Sequence, residues 1–169
     1  MTSPLIPFDI DTLTLDTETA RAAGQKHAEA YQSATPYPHV CVDNFLPAEV
    51  LERVRRDLAH LPESERAFSA AQEKLKFQYN PDRLPTYTRS LFHFLNSRPV
   101  ILFLEEMSGI KGLIPDPYFM GGGIHRVANG GHLDIHADFN LHKPMNVERR
   151  LNLLIYLNHE WREEWGGSF

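Results

Sequence analysis

The chain has 169 residues, 42% of them hydrophobic and 23% charged, which is ordinary for one globular domain with a sizeable core. A net charge of −5 supplies no basic field for a nucleic-acid backbone. No apolar run reaches the length of a membrane span and the N-terminus lacks a basic stretch leading into an apolar one, so a soluble cytoplasmic protein with no membrane partner is expected.

The single cysteine, Cys41, cannot form an internal disulfide, and its place in Val40-Cys41-Val42 predicts a buried structural thiol. Residues 1–40 read as an irregular lead-in with a helix over Thr17 to Ser33, stopped by Thr35-Pro36-Tyr37-Pro38. His39 to Asp43 is a short β-rich run. Pro47 then suits the first turn of a helix. Val50, Leu51, Val54, Leu58 and Leu61 follow at helical spacing, predicting an amphipathic helix over 47–61. Its charges Arg53, Arg55, Arg56 and Asp57 read as the solvated face. A polar helix is expected around 64–75, then a loop holding Pro81 and Pro85. Val100, Ile101, Leu104 and Met107 predict a core helix from Arg98 to Met107, ended by Ser108-Gly109.

After Pro115 the character changes. Glycines at 121–123 and 130–131 punctuate three predicted strands, at about 118–128, 131–138 and 149–158, with a loop over 139–148. Helices first and strands later predict an α+β fold. We read 1–169 as a single domain, mainly helical to 115 and β-rich over 116–169.

The chemically informative stretch runs from Gly130 to Asn140. Alternate side chains of a strand share a face, so His132, Asp134, His136 and Asp138 would point one way and Leu133, Ile135 and Ala137 the other, against the helices. An imidazole and a carboxylate one residue apart can share one ion. A second histidine from a distant strand would complete a 2-His-1-carboxylate set, which leaves three positions of an octahedral Fe(II) open. Alone, His-x-Asp reads more readily as a polar strand face than as a metal site.

The segment does not stand alone. His136-x-Asp138-Phe139-Asn140, a short loop, Arg149-x-Leu151 leading to Tyr156-Leu157-Asn158, and Trp161 followed by Gly166-Gly167 occur in this order. Together they resemble the prolyl-4-hydroxylase-like 2-oxoglutarate/Fe(II) oxygenases, with the nearest likeness to bacterial members of unassigned substrate. The resemblance covers about 118–169, with a weaker echo in Val42 to Pro47.

This resemblance implies a double-stranded β-helix, or jelly-roll, with the N-terminal helices packed on its major sheet. It assigns iron to His136 and Asp138 rather than to the similar pair His132 and Asp134, because Phe-Asn directly follows the metal-binding Asp. It places Tyr156 on the distal carboxylate of 2-oxoglutarate and brings Asn152 and His125 to the same cofactor pocket. The implied reaction decarboxylates 2-oxoglutarate to succinate and CO2 with O2 and hydroxylates an unactivated C–H bond of a prolyl residue or a small molecule. Asp138 favours hydroxylation, since related halogenases lack this carboxylate, and ascorbate is an implied auxiliary.

The family's third ligand, a later histidine, and the Arg or Lys that pairs with 2-oxoglutarate do not occur in the chain. We therefore expect a fragment whose jelly-roll is incomplete at the C-terminus and which is inactive alone. His142 and His159 are expected to be exposed rather than to replace that histidine, and Trp161 and Trp165 to serve packing or turns. Two alternatives have other chemistry. One is a non-catalytic jelly-roll binding domain. The other is a zinc hydrolase on His132, Asp134, His136 and Asp138, which a straight strand disfavours because it cannot wrap four side chains round a tetrahedral ion.

Overall fold

The computed structural model describes residues 4–6, 8–9, 11–61, 67–70 and 73–166. Helices and small antiparallel sheets are both present, consistent with an α+β fold. The chain forms two compact units, one from Met1–Ala59 with Pro85–Tyr118 and the other from His60–Leu84 with Phe119–Phe169. No helix among the described residues is long and apolar enough to cross a membrane.

The first unit is helical. Helix α1 spans Thr17–Gln32 and starts where the Asp16 side chain accepts from the Thr19 amide at 2.8 Å. Its buried face is made of the small residues Ala20, Ala23 and Gly24. Helix α2 spans Ala48–Leu58 and buries Val50 and Val54, one turn apart as the periodicity required. The predicted span of 47–61 is shortened at both ends.

Two later helices of this unit, α3 (Thr86–Leu95) and α4 (Arg98–Ser108), are separated by two residues. Helix α4 matches the predicted core helix and ends at Gly109, whose φ of 76° is the left-handed stop the sequence suggested. Helix α3 was not expected: its start was read as the loop holding Pro81 and Pro85. Pro85 does not break it, because the ring sits at the N-cap, before the first helical residue.

Pro85 offers α3 no side-chain cap, and α2 supplies one. Asp57 Oδ2 accepts from Thr88 Oγ1 at 2.6 Å and from the Thr88 amide at 3.3 Å. Arg53 of the same helix stacks 3.7 Å from the Tyr87 ring centre. The charge run of α2 is therefore not merely solvated, because two of its members tie α2 to α3.

Apolar packing completes the unit. Phe8 lies 4.6 Å from Phe94 between ring centres, and Phe45 lies 5.6 Å from Phe103. The expected strand at His39 to Asp43 does not form, and Cys41 is exposed. The backbone contacts come just after that run, where Asn44 O and Phe45 O accept from the Leu5 and Ile6 amides at 2.8 and 3.4 Å. Val40-Cys41-Val42 is thus outside the core that the buried-thiol reading required.

The second unit holds the strands. Strands β1 (Ala67–Ala70), β2 (Glu73–Tyr79) and β3 (Ile124–Leu133) form an antiparallel sheet in the order β1-β2-β3. The helix expected around 64–75 is overturned over its described residues. Residues 64–66 and 71–72 of that span lie outside the described set. Leu75, Phe77 and Tyr79 alternate with Lys74, Lys76 and Gln78, a period of two that suits a strand and outweighs helix propensity once a partner strand is present.

Strand β3 begins at a close approach. A Cβ on Gly123, where φ is +127°, would lie 2.3 Å from the Tyr79 carbonyl oxygen. Farther along, Lys76 pairs with Val127 while Lys74 pairs with His132, so the intervening residues of β3 bulge round Gly130. The expected strands at 118–128 and 131–138 are thus largely one strand, from 124 to 133, and no strand covers 134–139.

A short hairpin follows, with β4 (Leu141–His142) paired to β5 (Val147–Glu148). Residues 149–158, expected as a strand, form none. Sheet pairing is a non-local property, and an alternating or apolar run does not create its own partner. The apolar residues of the 131–138 run are themselves exposed: Leu133 is 43% and Ile135 105% exposed, and Ala137 is exposed too.

Candidate metal half-site

An extended backbone sets side chains i and i+2 on one side whether or not it belongs to a sheet. Over 134–138, outside any strand, His136 Nε2 lies 3.5 Å from Asp138 Oδ1. His132 Nε2 and Asp134 Oδ1, the similar pair upstream, lie 3.9 Å apart with both side chains more than half exposed. Among the described residues, only the downstream pair is supported by other side chains.

A backbone contact settles the imidazole. His136 Nδ1 lies 2.8 Å from the Asp134 carbonyl oxygen. A carbonyl can only accept, so Nδ1 carries the proton, and in the neutral ring Nε2 is left with its lone pair. In that neutral form the lone pair and the Asp138 carboxylate oxygen face each other as two acceptors. Two such acceptors are stabilised by a cation placed between them.

The spacing suits a divalent ion. Donors on adjacent corners of an octahedron with bonds of about 2.1 Å lie roughly 3 Å apart. The observed 3.5 Å needs only a small inward movement. Among the described residues no group of three His, Cys, Asp or Glu forms, so the pair has no third ligand there.

The far side of Asp138 is occupied by protein. Asn152 Nδ2 donates to Asp138 Oδ2 at 2.7 Å, and Arg149 Nη2 lies 3.2 Å from the same oxygen. Asn152 Oδ1 in turn accepts from Arg149 Nε at 2.9 Å and from its Nη2. The guanidinium stacks on Phe139, 4.4 Å from the ring centre. An open cleft of about 210 Å³ runs beside these groups, lined by Ala137 to Asn140 and Arg149 to Asn152.

Of the residues expected at the site, the structure brings together His136, Asp138 and Asn152. Asn152 engages Asp138 and Arg149 rather than standing open to a cofactor. Tyr156 is 57% exposed, and neither it nor His125 lines the cleft. His125 sits on β3 opposite Gln78. His142, expected to be exposed, is 4% exposed, and its Nδ1 accepts from the Met145 amide at 3.3 Å inside the hairpin turn. Trp161 Nε1 donates to the Gly166 carbonyl at 2.8 Å, closing the turn after 158; Gly167 lies outside the described residues.

Sequence reasoning gave Arg149 no role. Its signal was a basic residue at the far edge of the 139–148 loop, legible only if that loop turns the chain back on itself. The chain does so: the Arg149 amide donates to the Asn140 carbonyl at 2.8 Å, directly after the hairpin.

Comparison with known families adds one finding. Residues 122–169 match the 2OG-Fe(II) oxygenase superfamily. The matched segment contains β3, the His136–Asp138 pair, the hairpin and the Arg149–Asn152 support. The match supports that superfamily, which implies Fe(II) and 2-oxoglutarate as cofactors with a substrate and O2 as partners. No curated protein and no solved structure gives a match.

Proposed function

We propose that His136 and Asp138 are the paired iron ligands of a 2-oxoglutarate-dependent dioxygenase of the prolyl-4-hydroxylase-like type, acting on a prolyl residue or a small molecule. The observation that carries this reading is the 3.5 Å approach of His136 Nε2 to Asp138 Oδ1, with the Nδ1 proton committed to the Asp134 carbonyl. The family match over 122–169 supports the oxygenase class of this reading, independently of side-chain geometry.

When bound, the iron supplies the redox chemistry that couples 2-oxoglutarate decarboxylation to hydroxylation. The chain's own residues position that chemistry. The Asp134 carbonyl fixes the His136 tautomer, as outer partners of ligating histidines commonly do. Asp138 contributes negative charge and one oxygen. Tyr156 and His125 extend the reading toward the cosubstrate, with the distal carboxylate of 2-oxoglutarate assigned to the Tyr156 hydroxyl. That assignment rests on the family resemblance, as do ascorbate and a double-stranded β-helix.

The test is anaerobic binding of Fe(II), or Mn(II) as its redox-stable substitute, to the full chain. His136→Ala and Asp138→Ala should each lower affinity at least about tenfold, the loss expected on removing one ligand from a small donor set. His132→Ala should leave it unchanged. Loss in His132→Ala with retention in His136→Ala would transfer the site to the upstream pair. Equal affinity in wild type, His136→Ala and Asp138→Ala would leave the non-catalytic binding domain as the better reading.

A further inference from the structure

Asp138 has two carboxylate oxygens, and they have different surroundings. Oδ1 faces His136 Nε2 at 3.5 Å. Oδ2 is held by Asn152 Nδ2 at 2.7 Å and by Arg149 Nη2 at 3.2 Å. The Asn152 amide cannot turn over without loss. Its oxygen accepts from both Arg149 Nε, at 2.9 Å, and Arg149 Nη2, so its NH2 group must face Asp138.

Arg149 is itself fixed at three points. Its amide donates to the Asn140 carbonyl at 2.8 Å, its guanidinium lies 4.4 Å from the centre of the Phe139 ring, and its Nε and Nη2 engage Asn152. The Phe139 ring is backed in turn by Gly121, where a Cβ would stand 3.2 Å from the ring edge. An isolated exposed ion pair contributes little because both side chains must be ordered for it. Here the ordering is done by the stack, the amide and the hairpin, and the Arg149 side chain is only 23% exposed.

We infer that Arg149 is a positioning residue that, directly and through Asn152, reserves Asp138 Oδ2 and makes the carboxylate a one-oxygen ligand. The inference rests on reading His136 and Asp138 as the metal pair. Its consequence is coordination number. A facial set of three protein donors leaves three positions open. A carboxylate that swung to bind through both oxygens would take one of them. The planar guanidinium fork suits this task, because it can hold the amide oxygen with two donors and still reach Oδ2, which a lysine ammonium cannot reproduce.

The experiment uses the full chain and Mn(II) under anaerobic conditions, with two readouts. One is affinity. The other is the infrared difference spectrum, metal-loaded minus metal-free, in which the separation of the two carboxylate stretches distinguishes one-oxygen from two-oxygen binding. Wild type should show the wide separation of one-oxygen binding. Arg149→Met should lower affinity about 10–100-fold, the usual cost of losing an outer partner of a ligand, and narrow the separation. Arg149→Lys keeps the charge but loses the fork, and should narrow it too.

Full wild-type affinity and separation in Arg149→Met, with binding abolished in His136→Ala, would overturn the role of Arg149 and leave the metal pair standing. Wild-type binding in His136→Ala would instead overturn the metal pair. Far-UV circular dichroism checks folding. If Arg149→Met does not fold, Asn152→Ala decides, because it removes the direct 2.7 Å hold and should narrow the separation by itself; an unchanged separation there would refute the clamp.

Discussion

Gly24 sits in the middle of α1, where helix propensity alone would prefer alanine by about 0.5–1 kcal/mol. The structure opposes that preference. A Cβ at Gly24 would lie 2.3 Å from the Phe103 carbonyl oxygen and 3.0 Å from Glu106 Cβ, both on α4. A carbon meets a carbonyl oxygen comfortably at roughly 3.3–3.6 Å, so the two helices would have to separate by about 1 Å at this point. The obstructing atom is backbone and cannot rotate away. Separation would also loosen Ala20 and Ala23 and stretch the 2.5 Å Arg21–Glu106 ion pair. Overpacking of this kind costs about 1–3 kcal/mol, more than the propensity gain, so Gly24→Ala should destabilise by about 1–2 kcal/mol. Thermal unfolding followed by far-UV circular dichroism should show a midpoint lower by roughly 2–8 °C. Ala22→Gly, at an exposed position of the same helix, controls for propensity and should also lower the midpoint. A midpoint that rises in Gly24→Ala would refute the close approach of α1 and α4.

Two further outcomes follow from contacts at helix starts. Thr88→Val removes the donor to Asp57 Oδ2 from a fully buried position and should cost about 1.5–3 kcal/mol, whereas Thr88→Ser keeps the hydroxyl and should recover most of it; equal midpoints for the two variants in urea titrations would count against the cap. Hydrogen bonds from the Thr19 amide, then from its hydroxyl, hold the Asp16 carboxyl below its ordinary pKa. Its contribution is therefore complete above the unfolded-state pKa and disappears as pH falls through the lower folded-state value, so the stability difference between wild type and Asp16→Ala should shrink on acidification, and a difference independent of pH would contradict that cap.

The helices of the first unit were legible because their signals are local. Val50 and Val54 declare a face, Gly109 marks a stop, and tertiary packing then agrees with them. Helix α3 was hidden by two prolines whose effect depends on position: Pro85 at the N-cap is harmless, whereas a proline more than one turn into the helix would have been a breaker. Strand β2 was hidden by lysines and glutamate that favour a helix until β3 offers hydrogen-bond partners. The reverse error occurred at 149–158, where an apolar run suggested a strand that no neighbour completes. The charges of α2 were misread for a related reason. Nothing local to Arg53 or Asp57 reveals that Tyr87 and Thr88 lie against them.

The proximity of His136 to Asp138 survived these errors because it depends on the least demanding element of structure. Two residues apart in sequence can touch with or without a sheet, so the loss of the predicted 131–138 strand beyond Leu133 left the pair together. The support of Asp138 depends on more. Arg149 reaches it only because the chain reverses between Asn140 and Arg149, and that reversal is built on the Leu141–Glu148 and His142–Val147 pairings. His142, considered as a substitute metal ligand, is buried within that hairpin with its Nδ1 accepting from the Met145 amide. Its contribution to the half-site is therefore indirect: it stabilises the turn that returns Arg149 to the carboxylate. A strand-only reading could place the two proposed ligands but not the residue that controls how one of them binds, because that residue's position is a property of the hairpin.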